Sequence, residues 1–390
     1  MINYSRQYID KKDINAVVKA LKSDYLTSGP LVPKFEKKIS VRVRSKFAVA
    51  VNSATSALHI SCLALGLKKG DFIWTSPNSF VASANCGIYC GAKVDFIDIS
   101  LTDYNIDTEL LKKKLIKAEK EKKLPKIIIP VHYAGQSCDM KEIKKLSKKY
   151  KFKIIEDASH AFGGTYLNNP VGNCKYSDIT VFSFHPVKII TTAEGGAAVT
   201  NSSSIFEKLK ALRNHGIFRD EKNYSKKEKI RSSFKQELLG FNYRMSDIQA
   251  ALGLSQINKL NKFLAERLKI KKTYDKLLKI ENIIIPKTNS FAKSTFHLYV
   301  IKILPNRAKG IFRDNILKEL KNKKINVTIH YIPIHYHPYY KKIGFKKNQF
   351  KNVEKFYEQA ISLPIHPGLK LEEIKFVVRV IKNYLMKKNG

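Results

Sequence analysis

The chain has 390 residues, 44% of them hydrophobic, with only 13 Pro and 18 Gly. That composition excludes a low-complexity or disordered protein and suffices for a sizeable core in one large or two ordinary domains. No run approaches the roughly 20 apolar residues of a membrane span, and the N-terminal MINYSRQYIDKKD lacks the apolar core of a signal peptide, so a soluble, cytoplasmic protein is expected.

The net charge of +39 would suit nucleic acid or an anionic membrane. Only 11 of the 72 basic residues are Arg, however, and the lysines run along the whole chain rather than forming one block. In ELLKKKLIKAEKEKKL (109–124) and MKEIKKLSKKYKFK (140–153) they fill the polar face of an amphipathic helix pattern, the ordinary place for solvated charge. The charge therefore reads as compositional bias, with neither a nucleic-acid nor a membrane partner. The five cysteines are scattered and lack paired CxxC spacing, which suggests reduced thiols and no metal.

In chain order, FAVAV (47–51) reads as a strand leading into the helix NSATSALHISCLAL. DFIWT precedes the helical SFVASANCGIYCG, and KVDFIDI precedes a Lys-rich helix at 109–122. KIIIPVHY (126–133), a helix at 140–150, KIIEDAS (153–159) and ITVFSFH (179–185) continue the alternation, and GGAAVT (195–200) reads as an edge strand. Such alternation calls for a mostly parallel sheet covered by helices, an α/β fold. Beyond Asn201 come a helix in SIFEKLKALRNHG, a basic loop (220–236), and a Pro-free run from Met245 to Leu278 read as one long helix. A strand (297–303), a helix (309–323), a loop-like stretch (327–340) and a terminal helix (371–387) complete the pattern. The expected division is a large α/β domain over 1–255 and, over 256–390, a connecting helix with a smaller α+β domain. The long stretch 218–238 is a candidate functional loop.

Three stretches carry chemistry. The turn Asn52-Ser53-Ala54-Thr55-Ser56 sets small polar residues at a helix N-terminus, where free N–H groups and the helix dipole suit an anion, though capping alone would explain the hydroxyls. IIEDASHAFGG (154–164) puts Glu156 and Asp157 where a strand ends, with His160 beyond; a carboxylate there could hold a cationic ring nitrogen, position a metal or cap a turn. VFSFHPVKIITTAEGG (181–196) holds a lone Lys188 among apolar residues, bounded by Ser183, His185, Thr192 and Glu194. Burial disfavours the charged form of a lysine and makes its amine nucleophilic enough for a Schiff base. A phosphate-binding turn, an aspartate at the sheet edge and a buried lysine are the three parts that pyridoxal phosphate needs.

These residues resemble the sugar-nucleotide aminotransferases of the DegT/DnrJ/EryC/StrS type along essentially the whole chain. The matching stretches are LTSGPLVPKFE (26–36), NSATSALH (52–59), SPNSFVASAN (76–85), EDASHAFG (156–163), SFHPVKIITTAEGG (183–196), LRNHG (212–216), GFNYRMSDIQAALGLSQ (240–256) and HYIPIH (330–335). The resemblance implies the type I fold of pyridoxal-phosphate enzymes, and a homodimer whose subunits share each active site. It implies that Lys188 bonds the cofactor covalently, Asp157 pairs with its ring nitrogen, Phe80 stacks on the ring and His160 lies beside the ring hydroxyl. The backbone at Ala54, the side chains of Thr55 and Ser183, and Asn242 from the second subunit would bind the phosphate. Thr27, Glu194, His330 and Tyr331 would face the sugar nucleotide. The implied reaction moves the amino group of L-glutamate, by way of pyridoxal and pyridoxamine phosphate, to a UDP-linked 4-keto-6-deoxy-N-acetylhexosamine, with an epimeric 4-keto or a 3-keto sugar as the alternative acceptor. Lys188 argues against the related dehydratases, which carry histidine there. The family often has Gly where this chain has Ala193.

Overall fold

The computed structural model describes residues 1–218, 235–306 and 312–387. Most of the expected loop at 218–238, and the first residues of the helix expected over 309–323, lie outside them. Two N-terminal helices that the sequence pattern did not announce come first, α1 (Lys11–Leu21) and α2 (Leu31–Val43). Asp10 caps α1 in a reciprocal box with Asp13, and α2 buries Phe35, Ile39 and Val43 along one stripe.

Strands and helices then alternate as β1 (Phe47–Val51), α3 (Ala54–Ala64), β2 (Phe72–Thr75), α4 (Ala82–Tyr89), β3 (Lys93–Phe96), α5 (Thr108–Lys120), β4 (Ile127–Ile129), α6 (Met140–Tyr150) and β5 (Lys153–Asp157). After a small hairpin, β6 (Thr165–Tyr166) and β7 (Asn169–Pro170), come β8 (Ile179–Ser183), β9 (Gly196–Thr200) and α7 (Ser203–Arg213). Seven strands form one sheet in the order β1-β9-β8-β5-β4-β2-β3, parallel from β8 to β3. The expectation that 195–200 forms an edge strand is corrected: β9 lies between β1 and β8, antiparallel to both. Its small residues, Gly196, Ala197 and Ala198, are what let that position stay narrow between covering helices.

The two faces of the sheet alternate residue by residue. Val49, Val51, Ile155, Ile179 and Val181 belong to the core shared with α3, α4 and α7, whereas Ile128 and Ile154 pack with α5 and α6. In α6 the buried residues are Met140, Ile143, Leu146, Ser147 and Tyr150, so its lysines lie off the core stripe as the pattern predicts.

The Pro-free run from Met245 to Leu278 is not one helix. It divides into Asp247–Ile257 and Leu260–Leu277, with Asn258 and Lys259 between them. Lys259 there pairs with Asp10 (2.5 Å) and Asp13 (2.6 Å), an attachment to α1 that a straight helix would misplace. The C-terminal strands Ile283–Ile284, Tyr299–Ile303 and Ala360–Leu363 form a second, antiparallel sheet, whose core includes Tyr274, Tyr299, Ile361 and Val377. The stretch expected to be loop-like holds a 3-10 turn, Ile334–Tyr336, and enters a short helix, Pro338–Lys342.

Candidate active site

Three ends meet at one side of the large sheet. Ser183 closes β8 and pairs with Gly196 of β9, which in turn pairs with Val51 at the end of β1, one turn before α3. A Cβ on Gly196 would lie 2.5 Å from the Ala54 nitrogen and 2.6 Å from the Ser53 carbonyl carbon, so glycine is what admits the N-terminus of α3 to this position. Ser53 caps the helix, its hydroxyl accepting from the Ser56 N–H at 3.1 Å. The N–H groups of Ala54 and Thr55 belong to the first turn, where a helix offers them no acceptor, and they carry the positive end of its dipole. Ser53 thus takes the capping role, which leaves the N–H groups of Ala54 and Thr55 without an acceptor from their own helix.

Asp157 ends β5 with the parity of Ile155, which directs it toward α4. It is 5% exposed; Oδ2 accepts from the Ser83 hydroxyl at 2.6 Å and Oδ1 from the Ser159 N–H at 3.1 Å. Glu156 has the opposite parity and bonds to His132 (2.7 Å), Thr180 (3.0 Å) and Ser177. Burial alone would raise its carboxyl, but the His132 contact and the two hydroxyls outweigh that and hold it below the usual range. The two acids that the sequence placed side by side are thereby separated: Glu156 is a structural carboxylate, and Asp157 faces the site.

Lys188 follows β8 in a turn fixed by its own N–H to the His185 carbonyl (2.8 Å). Burial pushes its ammonium down to about 8, against the opposing attraction of Asp157. Three imidazoles lie in the same field. His160 is held well below the ordinary range by burial, then by Lys188 and His330; His330 is pushed down to about 3 by burial and Lys188. His297, which the sequence reading passed over inside a strand pattern, has its ring centroid 4.3 Å from that of His160, and burial and His160 hold it neutral too. Tyr331 brings the C-terminal part to this cluster through its hydroxyl, 3.0 Å from His160 Nε2. His330 is fixed by Ser362 (Nδ1 to Oγ, 2.8 Å) and by the Tyr133 hydroxyl, which donates to its carbonyl (2.6 Å). His160 Nδ1 is buried without a hydrogen-bond partner among the described residues.

Phe80 is 60% exposed, so it is no core residue; its ring stands 6.4 Å from that of Tyr331. Thr27 and Glu194 come together through the segment opening the helix Asp247–Ile257: Thr27 bridges to Ser246, and the Glu194 carbonyl accepts from Gln249 at 2.8 Å. The Glu194 carboxylate is 3.9 Å from His185. Asn242 is exposed on the surface, next to Tyr243, whose carbonyl accepts from the Asn52 N–H, and Arg244, which forms an isolated bridge with Val51. Asp247, another residue that the sequence reading did not single out, is fully buried and accepts from the N–H groups of Gly29 (2.8 Å) and Leu31 (2.7 Å), which shapes the loop carrying Thr27. Its only signal was the SDIQ capping pattern.

A helix N-terminus opened by Gly196, a nucleophilic lysine, a fixed aspartate, an exposed aromatic ring and an unpartnered imidazole nitrogen together fit pyridoxal phosphate. Among the described residues no group of three His, Cys, Asp or Glu side chains is placed to hold a metal ion.

Known proteins resemble this chain over nearly its full length. The DegT/DnrJ/EryC1/StrS aminotransferase family matches residues 7–382. The UDP-4-amino-4,6-dideoxy-N-acetyl-beta-L-altrosamine transaminase of Campylobacter jejuni is 39% identical over 388 residues, 99% of this chain and 98% of the relative. Among solved structures, the Helicobacter pylori aminotransferase PseC, described as involved in the biosynthesis of pseudoaminic acid, superposes with a TM-score of 0.88 at 34% identity and covers 99% of both chains. A sugar aminotransferase of Streptococcus pneumoniae in its PMP form gives a TM-score of 0.90 at 27% identity over the full length of both.

Proposed function

The chain belongs to the DegT/DnrJ/EryC1/StrS aminotransferase family, with the α/β fold of the type I pyridoxal-phosphate enzymes, and from that premise we propose that it makes UDP-4-amino-4,6-dideoxy-N-acetyl-β-L-altrosamine, a precursor of pseudaminic acid. L-Glutamate is the amino donor, and a UDP-linked 4-keto-6-deoxy-N-acetylhexosamine the acceptor. The names carried by the relatives from C. jejuni and H. pylori support this choice of sugar. The observation that carries the catalytic assignment is Lys188, a buried amine with its pKa lowered to about 8 and in the field of Asp157.

When bound, pyridoxal phosphate supplies the electron sink that makes a proton on the substrate carbon removable. Lys188 would hold the cofactor covalently, and its free amine could take that proton and return it as general base and acid; its lowered pKa places both forms within reach near neutral pH. Asp157 would hold the positive charge on the ring nitrogen. Ala54, Thr55 and Ser183 would bind the phosphate, with Asn242 of the second subunit of a homodimer. Phe80 would cover one ring face, and His160, neutral and anchored by Tyr331, would lie on the ring hydroxyl side. Thr27, Glu194, His330 and Tyr331 line the sugar-nucleotide side.

Product analysis tests the reading. The protein would be incubated with glutamate, pyridoxal phosphate and UDP-linked 4-keto-6-deoxy-N-acetylhexosamines of both C5 configurations, and the products resolved by mass spectrometry and NMR. Amination confined to the L-arabino 4-keto compound is expected; amination of the D-xylo epimer instead would move the enzyme to another amino-sugar route.

A further inference from the structure

Ser83 lies in the first turns of α4 and does not do what a helix serine usually does. Serines inside helices commonly donate back to the carbonyl four residues earlier, as Ser61 does to Ala57 at 2.6 Å. The Ser83 hydroxyl instead leaves its helix and donates to Asp157 Oδ2 on β5 at 2.6 Å. Nor does it cap the helix, whose cap residue Val81 has no side-chain bond. Ser79 Oγ lies 2.7 Å from Ser83 Oγ. A hydroxyl has one proton, and that of Ser83 is committed to Asp157, so Ser79 is the donor in the second bond. The order Ser79 to Ser83 to Asp157 follows, a directed chain that ends on an anion. Ser83 is 1% exposed and Ser79 3%, which leaves little access for water to take either place.

We propose that Ser83, backed by Ser79, is a positioning residue for the Asp157 carboxylate, holding it in the orientation that the pyridine nitrogen requires. The inference rests on the cofactor reading above. A chain of hydroxyls polarises each of its bonds further, by roughly 10–30%. With Ser159 on Oδ1 and Ser83 on Oδ2, both oxygens are fixed and the carboxylate plane cannot rotate freely. The same chain joins two parts of the site. Ser79 precedes Phe80, and its loop is held by Asn78 Nδ2 on the Tyr104 carbonyl (3.1 Å) and by the Ile334 N–H on the Pro77 carbonyl (3.0 Å). The relay thus ties the loop that presents the Phe80 ring to the carboxylate beneath the ring nitrogen.

The test compares the parental protein with Ser83→Ala, Ser83→Thr and Ser79→Ala, each shown to be folded by circular dichroism and thermal melting. Two readouts are taken: the dissociation constant of pyridoxal phosphate from titration of the apoprotein, and the pH midpoint of the visible absorption band of the loaded protein. With Ser83→Ala, cofactor binding weakens about tenfold or more and the midpoint rises by at least half a pH unit, because a carboxylate free to turn pairs less well with the protonated ring nitrogen. Ser79→Ala gives a smaller change in the same direction, and Ser83→Thr, which keeps the hydroxyl, restores the parental values. In turnover, kcat falls while the KM for the keto sugar changes less than twofold. A Ser83→Ala protein that melts earlier but keeps both the parental midpoint and affinity would overturn the relay. A parental protein that forms no visible band dependent on Lys188 would overturn the cofactor reading, and the relay with it.

Discussion

Lys188 shows how a single side chain acquires reactivity from its surroundings. Its amine has the pKa of about 8 because burial removes water that would solvate the ammonium, and Asp157 recovers only part of that. Loading of apoprotein with pyridoxal phosphate should accelerate up to about pH 8 and level off above it, read from the growth of visible absorbance; a rate still climbing between pH 9 and 10 would contradict the assignment. The linkage has a definite sign. Between about 8 and the unfolded value near 10.4, the unfolded chain binds more protons, so this residue's contribution to apoprotein stability rises with pH across that window. Lys188→Ala should abolish turnover while leaving circular dichroism unchanged. Ala193, where the family often has glycine, adopts a left-handed backbone with φ 64°. The strain of a Cβ there, about 1–2 kcal/mol, is opposed by the greater freedom of glycine in the unfolded chain. Ala193→Gly is therefore expected to leave activity intact and to change stability by no more than about 1 kcal/mol, as thermal melting would show.

Elements meet here through small residues and buried anchors. Replacement of Gly196 by Ala pushes a methyl group against the backbone that opens α3. The expected loss is about 1–3 kcal/mol of stability, with a cofactor affinity at least tenfold weaker, since the N–H groups of Ala54 and Thr55 must move. An Ala variant with parental affinity would show that the cradle lies elsewhere. Asp247→Ala strands two N–H groups, each worth about 1.5–3 kcal/mol when bonded to a charged acceptor, and frees the loop around Thr27. Melting temperature should fall and KM for the sugar nucleotide should rise, with cofactor binding preserved. The element pattern itself was largely legible, because β1, β5 and β8 are short runs rich in Val, Ile and Phe. The N-terminal helices were not read, although α1 spaces Ile14, Val18 and Leu21 about a turn apart and α2 does the same with Phe35, Ile39 and Val43; the first stripe stands exposed and the second is buried. The break at Asn258 and Lys259 was equally hidden, for neither residue forbids a helix; the ion pairs to Asp10 and Asp13 arise only in the folded chain.

At the level of the assembled protein, Asn242 offers a decisive measurement. If it completes the phosphate site of a second subunit, an Asn242→Ala protein and a Lys188→Ala protein, each inactive, should regain activity when mixed under conditions that exchange subunits. In the hybrid one site has both residues intact. No recovery, with exchange confirmed by mass spectrometry, would place Asn242 outside the neighbouring site. The net charge of +39 acts over the whole surface, and a doubly charged nucleotide diphosphate would feel it. Apparent KM for the sugar nucleotide should therefore rise from low to moderate ionic strength, as screening shortens the reach of those charges.

Local order along the chain was enough to identify the α/β alternation, the helix-opening turn at 52–56, the lone Lys188 and the acidic pair at 156–157, because each depends on residue type and short spacing. Choosing between Glu156 and Asp157 needed the sheet: opposite parity sends one to His132 and the other to Ser83. The interior position of β9 needed it as well, since strand order is set by long-range pairing that leaves no short-range mark. Ser83, His297 and Asp247 belong to this second group. Their side chains gain meaning from partners tens to hundreds of residues away, and only the folded chain brings those partners within hydrogen-bonding or packing distance.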